Sequence, residues 1–140
     1  MTQPHADYDT IVVGGGPSGA TAAHELANKG HRVLLLERGF RIKPCGGAIP
    51  PCLLQEFNIP DHLVVARIRS ARMISPKGQS VDMPIDGTFV GMVDRDEFDP
   101  WLRQRASEAG ATVVPGVFKS LEYQEELVSL TYQTKDENPR

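Results

Sequence analysis

Long apolar runs are missing from this 140-residue chain, and so is any large excess of charge. Lys and Arg number 15 against 18 Asp and Glu, a formal net charge of −3. No stretch approaches the roughly 20 apolar residues that a membrane span requires, and the opening MTQPHADYD lacks the apolar centre of a secretory signal. So even a balance leaves no electrostatic footprint for nucleic acid or for an anionic membrane surface. Cysteine is scarce too. Cys45 and Cys52 lie in one loop region, which gives no disulfide framework and makes a reducing compartment the default. Neither an internal repeat nor a low-complexity tract is present. The chain therefore reads as at most one globular domain, long enough to bury roughly two-thirds of its unfolded surface.

What is present is concentrated between Tyr8 and Arg38. Gly14, Gly16 and Gly19 form G-x-G-x-x-G, directly after the apolar run Ile11 to Val13 and directly before a helical stretch that Gly30 can end. A second apolar run, Val33 to Leu36, delivers Glu37 eighteen positions after Gly19. Each part has its own physical task in a βαβ dinucleotide site. Gly14 permits the tight turn, Gly16 lets a pyrophosphate approach the backbone, and Gly19 lets the helix lie close to the strands. Pro17 and Ser18 open the helix, whose N–H groups and positive end attract the anion. A carboxylate at Glu37 accepts from both ribose hydroxyls and repels a 2′-phosphate, which points to FAD or NAD rather than NADP as the bound dinucleotide. Ala20, Ala23 and Ala27 form a small face for contact with the sheet, opposite a solvated face of Thr21, His24, Glu25 and Asn28.

Downstream the pattern turns irregular, then β-rich. Gly39 to Pro51 is too broken by Gly and Pro for an element of either period. Leu53 to Phe57 reads as a short helix closed by a turn at Asn58 to Pro60. Arg67 to Ser75 and Gln79 to Met83 read as strands joined through Pro76, Lys77 and Gly78, and Thr88 to Val93 as another strand. The helix that follows has two candidate starts. Asp94 with Glu97 resembles a capping box, but it leaves Pro100 inside the helix at a cost of about 3 kcal/mol; Asp99 as cap with Pro100 first avoids this. The expectation is a short turn at Arg95 to Phe98 before the main helix, or one helix kinked at Pro100, ending at Gly110. Phe98, Trp101, Leu102, Arg105 and Ala109 follow the 3.6 period, so Trp101 reads as core rather than as a ring stacked on a cofactor. Ala111 to Val114 is a further strand, and Phe118 to Tyr123 with Leu127 to Tyr132 a hairpin.

The resulting fold class is α/β: a Rossmann-like βαβ domain with added β-hairpins, incomplete at its C-terminus. Residues 7–132 form the partial domain between disordered tails at 1–6 and 133–140. Nothing after Tyr132 can supply the strands that normally flank the first strand of a doubly wound sheet on its other side.

Three blocks carry a family resemblance: KPCGGAIPPCLLQEFNIP (Lys43 to Pro60), ARMISPKGQSVDMP (Ala71 to Pro84) and FVGMVDRDEFDPWLRQRASEAGA (Phe89 to Ala111). From Asp7 to about Leu121 the chain resembles the geranylgeranyl reductases of chlorophyll and bacteriochlorophyll synthesis, within the glutathione-reductase-like flavoprotein superfamily. GMVDR followed by Phe98 and Asp99 is closer to the bacteriochlorophyll branch. The resemblance implies FAD, reduced by NADPH, delivering hydride to isolated double bonds of a geranylgeranyl chain carried as the diphosphate or on a pigment. It implies a cytoplasmic protein with the option of peripheral association at a photosynthetic membrane, and no nucleic-acid partner. Gly14, Gly16, Gly19 and Glu37 match the nucleotide motif. Arg38 and Arg95 match positions where such flavoproteins set cations near the phosphates or adenine, the alternative for each being a solvated arginine, with binding the favoured reading for Arg95. Gly46 and Gly47 are expected beside the flavin, where two glycines bring backbone close to a flat ring. Cys45, in the same loop, is a half-buried thiol lining the substrate cavity rather than a proton donor, since no histidine or acid adjoins it. Lys43 could attract a diphosphate or simply face water.

The relatives are considerably longer, and their second flavin-contacting motif and most of the prenyl-binding domain have no counterpart in this sequence. Two other readings stay open: another flavoenzyme of the superfamily, such as an aromatic hydroxylase, and a catalytically silent nucleotide-binding fragment.

Overall fold

The computed structural model describes residues 6–39, 45, 47–125 and 127–134. The chain divides into two compact units, Met1–Arg41 with Asp99–Arg140, and Ile42–Phe98.

In the first unit β1 (Thr10–Val13), α1 (Pro17–Asn28) and β2 (Val33–Glu37) form the βαβ motif. β1 and β2 run parallel, with Thr10 opposite Val33 and Val13 opposite Leu36. β8 (Thr112–Gln124) adds to β2, also in parallel, and β9 (Leu127–Thr134) returns antiparallel to β8, giving the order β1-β2-β8-β9. This is a Rossmann-like α/β domain with antiparallel additions. β2 is the centre of the unit: Val33, Leu34, Leu35 and Leu36 are all buried, as expected for a parallel strand covered on both faces. Ala20 and Ala23 are fully buried and Ala27 nearly so, so the small face of α1 meets the sheet as its spacing predicts. At the other end Gly30, with φ +86°, ends the helix after Lys29. His24 departs from expectation. It is half-buried, and its Nδ1 lies 3.2 Å from the Arg105 carbonyl, so this part of α1 faces another helix instead of solvent.

That helix is α3 (Arg95–Glu108), continuous with Pro100 inside it. Asp94 caps it: Oδ1 accepts from the Asp96 N–H at 2.9 Å, and the Asp94 carbonyl accepts from Phe98 at 2.8 Å. The first of the two candidate starts is thus the one adopted, without a separate preceding turn. Its buried face is rotated from the expected one. Phe98, Asp99, Leu102, Arg103 and Ala106 are buried, while Trp101 and Arg105 sit half-buried at the margin, the guanidinium 5.4 Å from the indole centroid.

In the second unit β3 (Ala48–Ile49), β7 (Val90–Val93) and β4 (Val64–Ile68) form an antiparallel sheet in the order β3-β7-β4. α2 (Pro51–Glu56) and a single 3₁₀ turn (Asp61–Leu63) connect β3 to β4. β5 (Ser70–Ile74) and β6 (Ser80–Pro84) make a separate hairpin. Three expectations are corrected. The strand from Arg67 to Ser75 is broken at Arg69 into β4 and β5, which belong to different sheets. The supposedly irregular stretch before Pro51 contains β3. The strand at Ala111 to Val114 does not end there but continues through the hairpin arm as β8, with a register shift between Phe118 and Ser120.

On the β5–β6 hairpin, Ala71, Met73, Val81 and Met83 share one face, and the opposite face carries the Arg72–Asp82 ion pair at 2.6 Å. Every residue of both strands is exposed. The tails expected at 1–6 and 133–140 fall mostly outside the described residues, although β9 runs to Thr134.

Candidate dinucleotide site

Three glycines of the β1–α1 turn are accounted for in three ways. Gly14 has φ +107°, a left-handed conformation that other residues adopt only with strain. A Cβ on Gly19 would fall onto the Gly14 carbonyl and lie 3.3 Å from Val12 Cγ1, so this glycine lets helix and strand approach. Gly16 is different. As N-cap of α1 it has φ −74° and ψ −178°, values open to any residue, so local backbone geometry does not demand glycine there.

The start of α1 is also uncapped. Gly16 offers no side-chain cap, Pro17 takes the first turn, and that turn holds no acid. α3, by contrast, has Asp94 as cap and Asp96 and Glu97 in its first turn. First-turn N–H groups have no partner within a helix, so an uncapped, acid-free start leaves both donors and partial positive charge for an anion. Ser18 is exposed at this end.

Glu37, at the end of β2, reaches back to the turn. Its Oε2 accepts the Gly15 N–H at 2.6 Å and its Oε1 accepts the Gly39 N–H at 3.1 Å. Each carboxylate oxygen can accept more than one hydrogen bond, so these contacts orient the group and leave it capacity to accept from further donors. Arg38 points into solvent.

Sequence reasoning missed two residues at this turn. Gly15 is buried, and a Cβ there would lie 2.9 Å from Arg103 Cδ and 3.0 Å from Glu37 Cβ. Arg103, only 8% exposed, donates from Nη1 to the Gly15 carbonyl at 3.0 Å. A signal was available: Asp99, Arg103 and Ala106 follow the helical period as well as the set chosen, and a run of three glycines exceeds what G-x-G-x-x-G requires.

The other expected site residues lie in the second unit or outside the described residues. Gly47 has φ +68°, its carbonyl accepts the Val93 N–H at 2.9 Å, and a Cβ on it would strike the Val93 carbonyl. The β3–β7 pairing alone thus explains a glycine here. Cys45 is exposed, not half-buried as expected, and Cys52 is also an exposed free thiol. Arg95 is half-buried in the first turn of α3. Lys43 and Gly46 lie outside the described residues. A cavity of about 300 Å³ in the first unit is lined by Tyr8, Ile11, Leu34, Val128 and Tyr132 among others, and none of the residues lining it belongs to the glycine turn. Among the described residues no cluster of His, Cys, Asp and Glu could hold a metal ion, and no helix is long and apolar enough to cross a membrane.

The chain is similar to known proteins in sequence and in fold. The profile of the NAD(P)-binding Rossmann-like domain matches residues 12–50, from β1 through the end of β3. A geranylgeranyl diphosphate reductase of Rhodobacter capsulatus is 60% identical over 115 residues, 82% of this chain and 29% of the relative. The chloroplastic geranylgeranyl diphosphate reductase of Arabidopsis thaliana is 42% identical over 118 residues, 81% of this chain and 25% of the relative. Among solved structures, a geranylgeranyl bacteriochlorophyll reductase-like protein from Thermoplasma acidophilum superposes with a TM-score of 0.81 at 30% identity, over 93% of this chain and 36% of that one. The chain therefore spans between a quarter and about a third of the length of these proteins.

Proposed function

Because four-fifths of this chain is homologous to geranylgeranyl diphosphate reductases, we propose that it is the FAD-binding part of an enzyme that saturates prenyl double bonds. The observation that carries the reading is the pairing of Gly16, a glycine whose φ does not require one, with an uncapped helix start. The uncapped start leaves N–H donors for a pyrophosphate. In this reading the N–H groups of Gly16, Ser18 and Gly19 receive the phosphates. Gly14 holds the turn, and Pro17, lacking an N–H, starts the helix without wasting a donor. Glu37 accepts from the ribose hydroxyls, and its charge disfavours a 2′-phosphate at that position.

Arg38 and Arg95 are assigned to the phosphate and adenine surroundings, and Cys45, Gly46 and Gly47 to the flavin and prenyl side. Gly47 would then serve two purposes, pairing with Val93 and presenting flat backbone. Cys45 would shape the prenyl cavity without exchanging a proton, since the thiol has the size and polarity of a cavity residue. Bound FAD, once reduced by NADPH, would supply hydride to one alkene carbon while a proton goes to the other. The protein's share is position and dryness, because an isolated alkene has no carbonyl for a side chain to polarise. The substrate is a geranylgeranyl chain borne on diphosphate or pigment in chlorophyll or bacteriochlorophyll synthesis. The enzyme would be cytoplasmic or peripheral at a photosynthetic membrane.

The test uses the full-length protein. It should purify with FAD and, given NADPH, convert geranylgeranyl diphosphate into products heavier by two hydrogens per bond reduced. Glu37→Ala should raise the dissociation constant for FAD by roughly 10- to 150-fold, the equivalent of about 1.5–3 kcal/mol for a charged acceptor. Unchanged affinity would remove Glu37 from the site. Failure to reduce any geranylgeranyl compound would overturn the substrate assignment.

A further inference from the structure

We propose that Arg103 is a positioning residue of the nucleotide site, aiming the Gly16 N–H at the bound phosphate by holding the Gly15 carbonyl. The proposal rests on reading the turn as an FAD site, to which it adds two residues that the motif does not assign, Gly15 and Arg103.

Arginine is rarely so buried without satisfied donors, because removing a guanidinium from water is costly. Here Nη1 donates to the Gly15 carbonyl at 3.0 Å, across 88 positions of sequence. That carbonyl and the Gly16 N–H belong to one peptide group. The group is planar, and no cis peptide bond is present among the described residues, so the two point in opposite directions. Holding the oxygen toward Arg103 therefore turns the Gly16 N–H away from it. On the preceding peptide the Gly15 N–H is held by Glu37 at 2.6 Å. Both peptide planes around Gly15 are thus fixed by side chains from outside the turn, one from β2 and one from α3.

The crowding explains the third consecutive glycine. A side chain at Gly15 would meet Arg103 Cδ at 2.9 Å, Glu37 Cβ at 3.0 Å and Glu37 Oε2 at 3.3 Å. Any substitution there must displace one of the two groups that orient the turn. Preorganised donors bind better than donors that must be ordered on binding. Arg103 thus acts on the ligand through Gly16 and need not touch it.

The experiment measures FAD affinity of flavin-stripped full-length protein by fluorescence quenching, with ADP as competitor because ADP carries the pyrophosphate without the flavin. Arg103→Met retains bulk and loses the donor. It should weaken FAD and ADP by the same factor, at least roughly tenfold, as for one lost hydrogen bond from a charged donor. Arg103→Lys, which can still donate to the Gly15 carbonyl, should recover most of that loss. Gly15→Ala should also weaken both ligands. Combined with Arg103→Ala it should cost less than the sum of the two single changes, because one of the two colliding side chains is gone while Glu37 remains. A purely structural arginine would lower the melting temperature of Arg103→Met and leave both affinities of the folded variant unchanged; that result would overturn the proposal. Should Arg103→Met not fold, a Gly15→Ala protein that binds FAD like wild type would overturn it instead. Wild-type protein with affinity for neither ligand would sink the FAD reading and this proposal together.

Discussion

The turn from Gly14 to Gly19 and the stretch ending at Gly47 are both rich in glycine, but different forces demand the glycines. At Gly47 the chain's own backbone is sufficient: a positive φ and a Val93 carbonyl in the space of a Cβ. In the β1–α1 turn Gly14 and Gly19 are explained in the same internal way, and Gly15 by the two side chains that clamp it. Gly16, the N-cap of α1, has a φ of −74° that any residue adopts, and Gly15 and Gly19 also lack a positive φ. A glycine that the fold explains says little about a ligand. One whose backbone angles require no glycine, at an uncapped helix start, is where a ligand is expected, and that distinction separates the two kinds where counting glycines does not.

The largest expected effect is at the internally explained position. Gly47→Ala should destabilise the protein by about 3 kcal/mol, combining left-handed strain with a displaced strand, seen as a lower denaturation midpoint. Unchanged stability with loss of flavin would reverse the comparison and make Gly47 a ligand-facing residue.

Gly16→Val is expected to do the opposite. Stability should fall by only about 1 kcal/mol, the difference between glycine and a branched residue at an N-cap. FAD affinity should fall by about a hundredfold or more, because the side chain occupies the pyrophosphate's approach. Stoichiometric flavin in the purified variant would break the assignment of this turn.

The smallest effect concerns how the βαβ unit is tied at its other end. Asp9 accepts the Arg32 backbone N–H at 2.8 Å and its Nη2 at 2.6 Å. The Arg32 side-chain and backbone hydrogen bonds lower the Asp9 pKa from 3.8 to about 2. A carboxylate with a depressed folded-state pKa adds stability that is complete above its unfolded value and is lost as pH falls through the folded one. The contribution should therefore be full above about pH 4 and disappear toward pH 2. The pair is solvent-exposed and hence weak. Asp9→Asn should lower the melting temperature slightly at pH 7, with the gap to wild type closing near pH 2. A gap that persists at pH 2 would mean the loss is not electrostatic.

Legibility in the sequence followed the distance to the partner. β1, α1 and β2 could be read because their pattern is contiguous: four buried residues in a row at Val33 to Leu36, three alanines on one helix face, and a glutamate at the correct spacing. The break at Arg69 could not. Nothing local says that β4 pairs with β7 while β5, one residue on, pairs with β6. β3 is two residues long and exists only because β7 lies beside it. Arg103 illustrates the same limit within the site. Helical spacing could have marked it as facing inward, but only the fold brings it to Gly15. Glu37 was found from its spacing, whereas its bonds to Gly15 and Gly39 were not.

The first unit is discontinuous along the chain, Met1–Arg41 joined to Asp99–Arg140 around Ile42–Phe98, and this bears on the order of assembly. β1 and β2 meet after a crossover of a couple of dozen residues, as Thr10 opposite Val33 shows. β2 and β8 pair Leu34 with Thr112 and must close a loop more than three times longer. Logarithmic closure entropy makes the second event dearer by roughly 1 kcal/mol for a flexible loop. Any prior folding of the intervening unit shortens the effective loop and shrinks that difference. The nucleotide turn is therefore expected to form in two stages during refolding, Glu37 reaching Gly15 early and Arg103 arriving with α3 and β8. Pulse-labelled amide exchange, with β2 gaining protection toward β1 before β8 does, would reveal that sequence of events.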